Sequence, residues 1–197
     1  TTLFRSVLST GSNRGKVLVW DALGNGGDVH IWDPTANTFA TAANSISNIF
    51  CSGHCVLPDG RVFVAGGHIS SHEGLADANI FDPATGTWLS RAQMSRSRWY
   101  PTATTLPDGR VLVTAGEDGC SGCNVELPEV YNPASNTWTA LSSALLDIPF
   151  YPHMFVLPGG QVLAASATEG IMVTHLLDVA TQTWAVVDPV ALDGGSA

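Results

Sequence analysis

One six-residue phrase returns along this chain at a near-constant interval, and that interval limits the fold more than any other feature. Residues 57–62 read Leu-Pro-Asp-Gly-Arg-Val, and residues 106–111 repeat them without change. Residues 157–162 give a weaker copy, Leu-Pro-Gly-Gly-Gln-Val, and residues 14–19 a partial one. Leu57, Leu106 and Leu157 lie 49 and 51 residues apart. A second phrase follows each copy, running from Asp33 to Phe39, Asp82 to Trp88, Asn132 to Trp138 and Asp178 to Trp184.

The chemistry of the phrases is that of short strands joined by tight turns. Pro presets φ and Gly accepts a positive φ, so Pro-Asp-Gly and Pro-Ala-Thr-Gly are turn sequences. Apolar runs such as residues 62–65 suit buried strands. The glycines after them let backbones approach closely, and the Trp ending each unit is a large apolar plug between sheets. A β-sandwich also has frequent turns but gives no reason for a 50-residue period. The sequence therefore predicts an all-β chain built as a β-propeller. Its Gly-Gly and Trp pattern resembles kelch blades.

About four blades are expected, roughly residues 15–45, 51–95, 100–145 and 150–190. Four is low for a closed propeller, so the expectation is an incomplete part of a larger one. Residues 1–14 fit no copy of the repeat and are left outside it, as a leader or a sequence edge. With 45% apolar and 13% charged residues, the 197-residue chain is suited to a folded domain rather than disorder. Its formal net charge of −9 argues against nucleic acid and acidic membrane surfaces as partners. No apolar run approaches the ~20 residues that span a bilayer. Residues 1–15 carry no charged-then-apolar pattern, which is uninformative in a sequence that starts at Thr1.

Aligning the copies on their leucines exposes three equivalent positions with unlike residues. Six residues before Leu57, Leu106 and Leu157 stand Cys51, Tyr100 and Tyr151, preceded by Phe50, Trp99 and Phe150. In a propeller, equivalent positions of successive blades are related by rotation about one axis. Cys51 and Tyr100 are thus expected side by side at one mouth of the channel. Sites are commonly grafted onto folds at such strand ends.

At these residues a specific resemblance appears. Residues 48–54, Asn-Ile-Phe-Cys-Ser-Gly-His, with Arg98-Trp99-Tyr100-Pro101-Thr102 one blade later, resemble the copper radical oxidases, the family of galactose oxidase and glyoxal oxidase. The match is nearest the glyoxal-oxidase-like branch. The resemblance implies a thioether bond between Cys51 sulfur and a Tyr100 ring carbon, a protein-derived Cys–Tyr cofactor with Tyr100 as a copper ligand and radical carrier. It implies oxidation of an aldehyde, primary alcohol or carbohydrate by O2, giving hydrogen peroxide, and a secreted protein of seven blades. A thioether lowers the phenol's oxidation potential, and phenolate and imidazole suit Cu(II).

The sequence also departs from that family. Its axial Tyr followed directly by His, and a later His, have no counterpart here. The remaining copper ligands are therefore expected outside this chain, in further blades and a C-terminal domain, and the chain by itself is expected to be inactive. Where galactose oxidase stacks a Trp over the cross-link, this chain has a loop with Asp118. Trp99, Asp118, Tyr151 and His68 are the substrate-pocket candidates. A non-catalytic kelch scaffold for protein or glycan binding is the competing expectation.

Other candidates have plainer readings. Cys51 and Cys55 in one extended strand would stand too far apart for a disulfide. Cys120 and Cys123 are expected as a local loop disulfide or as thiols rather than half a zinc site. His54 lies on the strand face opposite Cys51, and His72 sits in a loop. Glu117 and Asp118 are adjacent and point apart, unlike the convergent carboxylates of a glycosidase.

Overall fold

The computed structural model describes residues 4–22 and 26–193. They form four antiparallel sheets of four strands each, every sheet in sequential strand order. Blade 1 holds β1 (Phe4–Val7), β2 (Val17–Trp20), β3 (Val29–Asp33) and β4 (Thr38–Thr41). Blade 2 holds β5 (Gly53–Val56), β6 (Val62–Ala65), β7 (Ala78–Asp82) and β8 (Thr87–Arg91). Blade 3 holds β9 (Thr102–Thr105), β10 (Val111–Thr114), β11 (Glu129–Asn132) and β12 (Thr137–Ala140). Blade 4 holds β13 (Phe150–Val156), β14 (Val162–Glu169), β15 (Ile171–Asp178) and β16 (Thr183–Asp193).

The first strand of each blade is the inner one. β1 contacts β5, β5 contacts β9 and β9 contacts β13, so the four inner strands run side by side. The second strands β6 and β10 are buried throughout, while the last strands β4, β8 and β12 are largely exposed. Such a gradient follows when sheets stack face to face around an axis. Alternation does the rest, because successive side chains leave a strand on opposite faces. Val62 and Val64 join a core with Leu18, Trp20 and Ile31 of blade 1. Phe63 and Ala65, between and beside them, join Val111, Val113 and Tyr131 of blade 3.

The repeated phrases map onto fixed geometry. Gly15, Gly60, Gly109 and Gly160 all have φ near 85° and turn the chain into the second strand of each blade. Each late Trp donates its indole N–H to an alanine carbonyl of the preceding blade. Trp88 reaches Ala42 and Trp138 reaches Ala92, both at 2.7 Å, and Trp184 reaches Ala144 at 2.9 Å. Blade 1 has Phe39 at that position, 64% exposed. Residues 4–8 differ from the expectation that the first blade begins at residue 15, and residues 1–3 lie outside the described residues. Phe4–Val7 pairs along the whole of Val17–Trp20, and buried Phe4 and Leu8 belong to the first core. The repeat phrase hid this strand because it begins only after it.

Candidate functional site

Cys51, Tyr100 and Tyr151 stand at the same end of β5, β9 and β13, and all three have left-handed backbone, with φ of 61°, 65° and 46°. That conformation disfavours side chains larger than glycine. It is held here by a backbone ladder running from blade to blade. The Tyr100 N–H donates to the Cys51 carbonyl at 2.9 Å, and the Tyr151 N–H to the Tyr100 carbonyl at 3.1 Å. Gly53 makes the approach possible, since a Cβ there would lie 2.7 Å from the Pro101 carbonyl oxygen. The ladder brings Cys51, Tyr100 and Tyr151 together, as blade equivalence predicts.

Aromatic rings cover this end. Trp99 stacks on Tyr100 with centroids 3.9 Å apart and planes 8° from parallel. Tyr151 stacks on Tyr100 at 4.7 Å, and Phe150 meets both Trp99 and Tyr100 edge-on at 5.7 Å. Cys51 is fully buried, and Trp99 only 9% exposed. Of the two rings stacked on Tyr100, the nearer is its own sequence neighbour.

His68 ties down the indole. Its Nδ1 accepts the Trp99 Nε1–H at 2.9 Å, which requires Nδ1 to be unprotonated, and its ring meets Phe50 at 5.4 Å. Burial holds the His68 pKa below its ordinary 6.5. Asp118 lies in the loop after β10, bonded to two side chains of the segment before Trp99. Its carboxylate accepts from Ser97 Oγ and Arg96 Nε, and these partners hold its pKa low although burial opposes them. These bonds tie the Asp118 loop to the segment before Trp99.

Glu117 and His72, which carry no motif, meet beside Trp99. Glu117 is 2% exposed and pairs with Trp99 through two 2.9 Å backbone hydrogen bonds. Its carboxylate accepts from His72 Nδ1 at 2.5 Å and from the Gly122 N–H. The His72 ring lies 5.0 Å from the Trp99 ring. The Cys120–Cys123 disulfide, with Cα atoms 5.2 Å apart, closes the hairpin that carries Gly122. No spacing motif links residues 72, 99 and 117. Only pairing across blades 2 and 3 does so.

The other sulfur and imidazole groups serve the blades. Burial pushes the Cys55 thiol up to about 12. His54 Nε2 donates to the Arg5 carbonyl at 2.9 Å, and the ring edge meets Trp20 at 4.9 Å. Behind the site, Arg98 is fully buried and paired with Glu129 at 2.9 Å.

The kelch motif family model matches residues 50–95 and 98–144, the second and third blades. The fold is a kelch-type β-propeller. A fungal alcohol oxidase of the AA5 family, solved in complex with copper, has the same fold at a TM-score of 0.65 and 22% identity. The match takes in 90% of this chain but 41% of that one, so the chain spans well under half of its structural neighbour's length. No curated protein matches the sequence.

Proposed function

We propose that this chain is the propeller part of a secreted copper radical oxidase of the glyoxal-oxidase-like branch, and that it contributes the Cys51–Tyr100 pair of the active centre. The observation that carries the reading is the ladder at the blade mouth. It holds a buried thiol-bearing residue and a phenol-bearing residue on adjacent blades, joined by a 2.9 Å backbone hydrogen bond, under a stacked indole. A phenol enclosed by Trp99, Tyr151 and Phe150 suits a site that must delocalise an unpaired electron and exclude water. The copper neighbour adds support of a general kind.

Among the described residues, no three His, Cys, Asp or Glu side chains come together as a metal-holding group. Tyr100 would supply one phenolate oxygen, with the other ligands and O2 chemistry belonging to the complete protein. Exposed Phe155, Val186, Val187 and Val190 on blade 4 fit a parent with further blades. The substrate would be a small aldehyde, primary alcohol or carbohydrate.

Peptide mass analysis of the full-length protein after copper loading tests the reading. The expected product is one Cys51–Tyr100 linked peptide, lighter by two hydrogens, the thiol S–H and one ring C–H. Unlinked peptides throughout, with no hydrogen peroxide from aldehydes or primary alcohols, would leave the propeller as a binding scaffold.

A further inference from the structure

We propose that Glu117, acting through His72, is a positioning residue that fixes the Trp99 ring over Tyr100. The proposal gives the oxidase reading above a residue that tunes its phenol, and in that sense rests on it. Glu117 grips Trp99 in two independent ways. Its backbone exchanges two 2.9 Å hydrogen bonds with Trp99, setting where the indole leaves the chain. Its side chain holds the His72 ring, which packs on the indole with centroids 5.0 Å apart.

The carboxylate is nearly inaccessible, and its two partners come from different loops. His72 belongs to the loop after β6, and Gly122 to the disulfide-closed hairpin after β10. A buried carboxylate is costly unless its acceptor sites are filled. Here filling them draws both loops onto one point beside Trp99. The Gly119 N–H adds a 3.0 Å bond to the His72 carbonyl, and the Asp118 N–H a 3.1 Å bond to the Cys123 carbonyl. With His68 holding Nε1 and His72 against the ring, Trp99 has little freedom to leave the 8° stack on Tyr100. The consequence is chemical, because the stacked ring sets the electronic surroundings of the phenol that is to carry the unpaired electron.

Fluorine NMR of the full-length, metal-free protein labelled with 5-fluorotryptophan tests this. The Trp99 resonance is the one missing from W99F, and its displacement in Tyr100→Leu measures the stack. Glu117→Gln and His72→Phe are each expected to move the Trp99 resonance while the other indole signals stay in place. The double variant should move it no further than either single one. A Trp99 resonance that stays put in both variants, or displacements that simply add, would overturn the proposal. Should Glu117→Gln unfold, moving every signal together, His72→Phe decides alone, since His72 is partly exposed and a phenyl ring loses the bond that the Glu117 carboxylate makes to it. No metal enters the measurement. A missing Cys51–Tyr100 link would sink the oxidase reading without touching this result, and an unmoved Trp99 would sink this one alone.

Discussion

The Tyr100 N–H donates to the Cys51 carbonyl at 2.9 Å although both residues sit in left-handed backbone, at φ of 65° and 61°. Together with Tyr151, three side-chain-bearing residues hold a conformation that costs each about 1–3 kcal/mol. Strain of this kind persists where surrounding contacts over-determine it. Glycine would relieve it, so the position selects for what its side chains do rather than for stability.

The strain is measurable at Tyr151. Tyr151→Ala and Tyr151→Gly both delete the ring that stacks on Tyr100, but only glycine accepts the local φ of 46° without penalty. Tyr151→Gly is expected to be more stable than Tyr151→Ala by about 1 kcal/mol in urea unfolding. In an ordinary strand position the order would be reversed.

Arg98 and Glu129 form the main buried ion pair behind the site, with Arg98 also donating to the Ala115 and Leu127 carbonyls at 2.7 and 2.5 Å. Burial lowers the Arg98 pKa, and the Glu129 carboxylate opposes that. Arg98→Met is expected to cost about 3–5 kcal/mol, since it strands a buried carboxylate. Adding Glu129→Leu should recover part of the loss, making the double variant less destabilised than the summed singles. Denaturant titration of the four proteins completes the cycle.

How far the sequence foretold this arrangement differs from residue to residue. The period placed Cys51, Tyr100 and Tyr151 together because rotation relates repeats, and repeats are visible as letters. The strand at Phe4–Val7 was not visible, since an inner strand here carries no turn phrase of its own. Asp118 binds Ser97 and Arg96, and the rings stacked on Tyr100 are Trp99 and Tyr151. Loop residues escape alignment because their places depend on hydrogen bonds between blades. Glu117 and His72 illustrate this, being 45 residues apart and joined by one 2.5 Å contact.

Acid should weaken the propeller through its neutral histidines. Burial lowers the pKa of both His54 and His68 below 6.5, with the Arg5 carbonyl partly opposing it at His54. The unfolded chain therefore binds more protons than the folded one as pH falls below 6.5, and stability declines through that window. Asp59, Asp108 and Asp118 have pKa values held below 3.8 by hydrogen bonds and arginines despite some burial, so their contribution is lost only at lower pH. Unfolding free energy is expected to fall between pH 7 and pH 5, and to fall less in His68→Asn. A flat profile over that range would contradict the assignment.

The blade seam gives a contrast between two positions of one register. Trp138 donates to the Ala92 carbonyl across the interface of blades 2 and 3, and its ring packs on Phe63 and Tyr131. Trp138→Phe keeps an aromatic ring but leaves that carbonyl without its donor, an expected cost of about 1–3 kcal/mol. Phe39 occupies the same register in blade 1 and is largely exposed, with Trp32 and His30 as its ring neighbours. In this chain Phe39→Ala should change stability by no more than about 0.5 kcal/mol. In a full-length protein whose last blade closes against blade 1, the same substitution should cost about 3–5 kcal/mol, as for a buried Phe. Thermal or urea unfolding of both lengths separates the outcomes, and equal small effects in the two would mean that no blade covers Phe39.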